Sequence, residues 1–435
     1  MAPHPDCGFY GRRTRMKVAV IGAGWAGCAA AVEAVRLGHQ VTIFEAARTP
    51  GGRARRVMAT VTGQPVALDN GQHLLIGAYA ATLQLMRDLG VSESAAFLRL
   101  PLTLQFPDGS GLKLPRWPAP FDALAGILSA AGWPWADRLS MLRLAVDWQM
   151  RRFQCQPHES VSDLCRGLAP GAMAALIEPL CVSALNTPAD RASGQVFLRV
   201  MRDALFASSG GSNLLLPKAD LSALLPDPAL AWLAANGGTL RSGIRVQALH
   251  KTATSWAVES EIFDRVVLAC PPLEAARLLD TCGEAASAWT AQARGLHYEA
   301  LATVYLHAAG SSLSQPMLAL HASPTEPAQF VFDRGQLGGP SGLLAFVISA
   351  SDGASATLTR QVQAQAVRQL GLQGLEPVLT VVEKRATFAC TPGVVRPGQQ
   401  VAVGLLACGD YITGPYPATL EGAVRSGLQA AQALA

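Results

Sequence analysis

Glycines at positions 22, 24 and 27 and a carboxylate at position 45 are the residues of this sequence with the clearest chemical spacing. Gly22-Ala23-Gly24-Trp25-Ala26-Gly27 has the form Gly-x-Gly-x-x-Gly, and Glu45 falls 18 residues beyond Gly27, against the roughly 20 expected of a dinucleotide fingerprint. Gly22 allows a tight turn, Gly24 lets the backbone approach a pyrophosphate resting at a helix N-terminus, and Gly27 lets that helix lie close on a sheet. Glu45 then serves as the ribose ligand. Gly51-Gly52-Arg53 offers a second phosphate cradle, in which a guanidinium adds a fixed fork of donors to backbone amides. Asp69-Asn70-Gly71-Gln72-His73 interrupts an apolar region with four hydrogen-bonding side chains. It follows the glycine pair closely enough to pass the reactive end of a bound dinucleotide.

Those residues need elements to hold them. Val18-Ala19-Val20-Ile21 reads as an apolar strand running into the first glycine, a small-residue helix follows and stops at Gly38, and Val41-Thr42-Ile43-Phe44 reads as a second strand ending in Glu45. Near the other end, residues 401–405 and Ala407-Cys408-Gly409-Asp410 read as a buried strand and a turn. A helix is expected from Pro417, a residue suited to a first turn, with Ala418, Gly422, Ala423, Ser426 and Gly427 leaving one side nearly bare. Between the ends, residues 232–240, 245–249 and 264–272 supply a helix, a glycine pair and further strands. The reading is a dinucleotide domain assembled from residues 16–94, 206–275 and 381–435, with residues 95–205 and 276–380 forming a substrate domain. Residues 335–342 are expected to be a mobile loop.

Composition narrows the classes of function. With 435 residues, 50% of them apolar and 15% charged, the chain is globular but greasy. It contains no uninterrupted apolar run of about 18 residues, which argues against a transmembrane helix. A net charge of +4 without a basic block argues against nucleic acid and leaves room for weak attraction to an anionic membrane surface. Nine cysteines without Cys-x-x-Cys or Cys/His ligand spacing point to reduced thiols, a cytoplasmic setting and no metal. Residues 1–15 are polar and basic and lack a secretory apolar core; they are expected to be a disordered leader, or to precede a natural start at Met16. Trp135, Leu139, Leu142, Val146, Met150 and Phe153 recur at spacings of 4, 3, 4, 4 and 3, one helical face. Two readings of that face stand: an amphipathic core helix, or, with Trp117, Trp133 and nearby arginines, the rim of a lipid entrance.

Together, Gly22–Gly27 with Glu45, Gly51-Gly52-Arg53, Gly237-Gly238 before Val246, and Gly409-Asp410 followed by Pro417-Ala418-Thr419 resemble the glutathione-reductase-type FAD fold. More narrowly, they resemble the amine oxidase and phytoene desaturase superfamily over residues 16–435. The resemblance implies an α/β (α+β) fold, in which a Rossmann-like FAD-binding domain carries an inserted mixed substrate-binding domain. It carries FAD contacts onto Gly22, Ala23, Gly24, Ala26 and Gly27, onto Glu45 and Ala46, and onto Gly52 and Arg53. It does the same for Gly71, Gln72 and His73 and for Pro417, Ala418 and Thr419. Val246 becomes a backbone contact to adenine, and Gly409 and Asp410 lie near the ribityl-pyrophosphate.

Within the superfamily, Asp69–His73, Ala184-Leu185-Asn186-Thr187-Pro188 and the stretch 417–427 resemble the hydroxysqualene dehydroxylases of bacterial hopanoid biosynthesis. That likeness implies loss of the hydroxyl of hydroxysqualene and hydride delivery from reduced flavin to an allylic carbon, giving squalene. It also implies an electron donor the sequence does not identify and a cytoplasmic enzyme peripheral to the inner membrane. His73 is the candidate proton donor, against a histidine whose backbone merely walls the flavin, and Asp69 is second, its place before Asn70-Gly71 suiting a turn-stabilising role better; the helix at Pro417 is expected to point its positive end at the flavin. A phytoene-type desaturase or amine oxidase, and a non-enzymatic prenyl-lipid escort protein, are the alternatives.

Overall fold

Strand β1 (Lys17–Ile21) has Val18, Ala19 and Val20 fully buried, the pattern of a parallel strand covered on both faces. It runs into helix α1 (Trp25–Arg36) and strand β2 (Gln40–Glu45). The computed structural model describes residues 15–206, 210–282, 286–351 and 353–434; residues 1–14 of the expected leader lie outside the described residues. The sheet order is Thr239–Ser242, β2, β1, Arg265–Leu268, Leu405–Ala407, Gln400–Ala402. The first five strands are mutually parallel, and the last pairs antiparallel at the edge. Residues far apart in sequence therefore build one sheet, with a glycine turn at the carboxyl end of its central strand.

Helix α1 is walled by the C-terminal helix Leu420–Gln432. A Cβ added to Gly427 would fall 2.2 Å from the Ala26 carbonyl oxygen and 3.0 Å from the Ala29 Cβ, so the bare side of the C-terminal helix is where the two backbones meet. The propensity cost of glycine in a helix is offset by that approach.

A second, antiparallel sheet runs in the order Met317–Ala319, Phe330–Asp333, Leu343–Ser349, Tyr298–Ala308, Leu375–Phe388. Alternation splits its side chains. Ala302, Val304 and Leu306 pack with Leu358, Val362 and Ala366 of helix Ser355–Leu370, while Phe330, Phe332 and Val347 face the main cavity.

Several expected features differ. The strand Leu375–Phe388 crosses the boundary placed at residue 381. Residues 401–405 form no single strand: Gly404, at φ +76°, turns the chain back on itself and leaves Val403 exposed. The helix expected from Pro417 starts at Leu420, because Ala418 holds φ +56° and Thr419 is the N-cap, its Oγ1 accepting from the Gly422 amide at 2.9 Å. Residues 335–342 begin with a short 3-10 turn, Gly335–Leu337, whose first amide donates to Asp333 at 3.0 Å. The largest difference is in helix Trp135–Met150. Met141, Leu144 and Trp148 form its buried face, while Trp135, Leu139, Val146 and Met150 are exposed. The helix is apolar on two sides, and of the two readings of the predicted face the core one fails for these four residues, although Leu142 packs against the core and Phe153 is buried. Trp133 is buried and does not rim an entrance.

Gly427→Ala should force the two helices apart and destabilise the protein by about 1–3 kcal/mol, the usual cost of overpacking. A urea denaturation midpoint equal to that of the wild type would show that the helices can separate without loss.

Candidate functional site

The glycine turn is built to a close tolerance. Gly22 has φ +112°, a Cβ there would fall 2.6 Å from the Ala269 carbonyl oxygen, and its amide donates to Phe44 O at 2.8 Å. Gly27 lies behind the turn, where a Cβ would strike the Gly22 carbonyl oxygen. Gly24 differs: the nearest atom to its added Cβ is the Gly52 Cα at 3.9 Å. The space in front of it is open where a phosphate must come close. Gly51 closes the far side, its amide donating to Ala23 O at 2.9 Å.

Glu45 lies at the cavity wall and holds the turn. Its carboxylate accepts from the Ala23 amide at 2.7 Å and from the Ala47 amide at 2.8 Å, so it also braces the turn, and its loss would orphan two backbone donors. Arg53 is not a free phosphate ligand either: it donates to Asp410 at 2.6 Å and to Ala386 O at 2.7 Å. Asn70, which the sequence reading left without a role, clamps this loop by accepting from the Arg55 amide and donating to Arg53 O, both at 2.9 Å. Its place beside Gly71 was the available signal.

One cavity of about 810 Å³ runs from Glu45 and Val246, past the two glycine loops and His73, to Phe330. Of the expected cofactor contacts, Ala23 and Gly27 alone do not wall it; both act from behind the turn. At the Val246 end, Arg277 donates to Val246 O at 2.6 Å and to Glu274 at 2.7 Å, and Arg245 pairs with the same glutamate. The sequence reading missed this clamp, although a Glu and an Arg three apart on helix Pro272–Leu279 were visible. At the far end the walls include Leu102, Leu104, Val196, Val200 and Phe332. Asp203, also there, accepts from Arg199 and Arg202 and from the Tyr416 hydroxyl at 2.8 Å; although burial opposes it, this pairing holds its pKa below the usual carboxylate value. Asn186 ends helix Glu178–Leu185 in the left-handed conformation. Its side chain accepts from the Ala350 amide and donates to Thr387 Oγ1, both at 3.0 Å, tying that helix to the second sheet.

The two acid candidates separate. Asp69 does not wall the cavity. Its carboxylate accepts from the Leu221 amide at 2.7 Å, and its carbonyl accepts from Tyr305 Oη at 2.9 Å, so it anchors the turn from behind. Burial raises its pKa to about 7. His73 does wall the cavity, with Nδ1 at 2.6 Å from Gly71 O. A carbonyl only accepts, so Nδ1 carries the proton. Enclosure by protein lowers the His73 pKa, opposed by that bond. Its charged form is thereby disfavoured.

A long cavity with open space at the glycine loops, amides and a carboxylate at one end and a polar turn midway has the donor set that FAD requires. Comparison with known proteins agrees. The sequence profile of the family described as flavin containing amine oxidoreductase matches residues 25–435. The chain is 29% identical to a protein named hydroxysqualene dehydroxylase from Rhodopseudomonas palustris, covering 95% of this chain and 97% of that one. It is 27% identical to a protein of the same name from Sinorhizobium fredii, with the same coverages. Its fold is similar to that of an oxidoreductase from Methanosarcina mazei, with a TM-score of 0.71 at 18% identity over 96% of this chain and 100% of that one.

Gly24→Val should yield folded protein without flavin, because the added side chain fills the open space and strains nothing behind it; stoichiometric flavin absorbance in the purified variant would refute this. Asp69→Asn should keep flavin and turnover. A raised acid pKa means that the native state holds the proton more tightly, so Asp69 erodes stability as pH rises from about 3.8 to about 7. Unfolding measured across that window should show a smaller decline in the variant than in the wild type.

Proposed function

We propose, from the premise that the chain belongs to the flavin-containing amine oxidoreductase family and is an FAD-dependent oxidoreductase, that it reductively removes the hydroxyl of hydroxysqualene to give squalene. The observation that carries this reading is the likeness, over 95% of the chain, to proteins named for that substrate. The apolar far end of the cavity suits an isoprenoid tail, whose burial supplies most of the ground-state binding. FAD, held along the glycine loops in its fully reduced form, would supply the hydride that replaces the hydroxyl, and the hydroxyl would leave as water with the second hydrogen of the reduced cofactor as its proton.

The protein's own residues bind, orient and exclude water. Leu102, Leu104, Val196 and Val200 enclose the tail. Asp203, neutralised by two arginines and Tyr416, presents little net charge to it. The helix capped by Thr419 opens onto the cavity, since Ala418, Thr419 and Leu420 all wall it, and its positive end favours negative charge there. The buried first-turn carboxylate of Glu421 is committed elsewhere, accepting from the Thr82 amide at 2.9 Å and from Arg425 at 2.6 Å. His73, neutral with Nδ1–H on Gly71, offers the lone pair of Nε2 as a hydrogen-bond acceptor. The reading includes a cytoplasmic location, contact with the inner-membrane surface, where such an alcohol resides, and a separate electron donor.

Anaerobic incubation of chemically reduced holoenzyme with hydroxysqualene should give squalene by mass analysis. Unchanged alcohol, with bleaching of oxidised flavin by phytoene or an amine, would reverse the direction of the reaction. His73→Ala should retain flavin and lose less than about tenfold in turnover, since a true proton donor is worth roughly 10²–10⁴-fold. A larger loss, with the acid limb of the pH profile abolished, would restore His73 as the acid.

A further inference from the structure

Eight of the exposed large apolar side chains in the described residues lie between Trp117 and Met150. Phe121, Leu124 and Leu128 form one stripe on helix Phe121–Leu128. Trp135, Leu139, Val146 and Met150 form another on helix Trp135–Met150. At 100° per residue each stripe stays within about 60° of arc. Exposure reaches 60% at Phe121, 65% at Trp135 and 79% at Met150, far from the burial such residues seek. The helices pack on each other. Arg138 joins the stripes: its guanidinium donates to Leu128 O at 2.8 Å and lies 4.9 Å from the centre of the Trp135 ring.

We infer that this helix pair is the face by which the protein docks on an anionic lipid bilayer. The inference rests on the reading that the substrate is a lipid-phase alcohol, and it assigns that reading a surface. Charge selects a bilayer over a second copy of the chain. Lys113, Arg116, Arg143, Arg151 and Arg152 are exposed around the stripes, whereas Asp122 and Asp137 are buried and Asp147 is paired with Arg151. A like-charged copy of this face would repel it, while an anionic headgroup layer would not. Continuity with the site supports the same occupant. A smaller cavity of about 280 Å³, walled by Arg116, Trp117 and Asp122, begins beside the first helix, and its wall residue Ser212 also lines the main cavity. The surface cavity beside Trp117 and the main cavity thus share a wall at Ser212.

The test is flotation of holoenzyme with phosphatidylglycerol-rich vesicles containing no substrate, so that its result does not depend on the reaction. Wild type should float with anionic vesicles, and binding should fall about fivefold for each cation removed in Arg143→Gln and Arg152→Gln. The triple variant Leu139→Ser, Val146→Ser, Met150→Ser alters exposed positions only. It should lose at least about tenfold in vesicle affinity, keep its flavin, and keep its activity on detergent-dispersed alcohol. Wild type that stays with the soluble fraction, or a triple variant that floats equally well, would overturn the assignment. So would a solution mass of two chains that falls to one in the triple variant, which would give the face to a second copy.

Discussion

The ion pair between Arg53 and Asp410, at 2.6 Å, is where the site closes. It joins residues 357 positions apart, and the same guanidinium reaches Ala386 O on the second sheet. Asp410 extends the junction through its carbonyl, which accepts from the Ala418 amide at 3.0 Å. That bond holds Ala418 in a left-handed conformation that costs an L residue about 1–2 kcal/mol, and the conformation delays the helix until Leu420. Arg53 is partly exposed and Asp410 nearly buried. The worth of the pair therefore lies between the roughly 0–1 kcal/mol of a surface pair and the 3–5 kcal/mol lost when a buried one is broken. Its structural consequence is larger than its energy, because the glycine loop, the second sheet and the C-terminal helix all take their positions from it.

A second consequence is the distribution of charge along the cavity. At the Val246 end, two arginines converge on Glu274. At the far end, Arg199 and Arg425 lie over the two-sided ring of Tyr416 at 5.4 and 4.8 Å from its centre, with Asp203 hydrogen-bonded to its hydroxyl. Charges that a nucleotide would otherwise have to satisfy are already paired, and those near the apolar end are shielded from a hydrocarbon. The cavity can then accept a polar ligand and an apolar one end to end without leaving an ion desolvated and alone.

What the sequence disclosed is what local spacing encodes. The turn from Gly22 to Gly27 and the strands flanking it follow from residue types within thirty positions of one another, and the structure sets them in one sheet. The interactions that escaped were long-range or two-sided. Arg53 meeting Asp410 and Asn186 holding the second sheet depend on chain paths that no short window contains. Helix Trp135–Met150 has apolar residues on both faces, so periodicity could not say which face the neighbours cover. Pro417 suited a first turn, yet the bond from Ala418 to Asp410 forbids helix there. The place of Asp69 before Asn70-Gly71 already suggested a turn-stabilising role; the Leu221 amide behind it and the cavity before His73 separate the two.

Burial disfavours the charged form of both of those residues. Burial holds the proton on Asp69 up to about pH 7 and keeps it off His73 below the ordinary imidazole value. The linked stabilities therefore oppose each other. His73, with a depressed pKa, costs stability as pH falls below about 6.5, because the unfolded chain takes up its proton first. Asp69, with a raised pKa, costs stability as pH rises from about 3.8 towards about 7, because the unfolded chain releases its proton first. Above the depressed pKa of His73 and below about pH 7, both groups are mainly neutral. In that interval the polar turn presents hydrogen-bonding groups and dipoles rather than ions, which is compatible with a hydrocarbon beside it. A fixed carboxylate on the cavity face would need a cation to offset it, and the arginines beside the turn are already committed, Arg53 to Asp410 and Arg334 to Pro217 O at 2.9 Å.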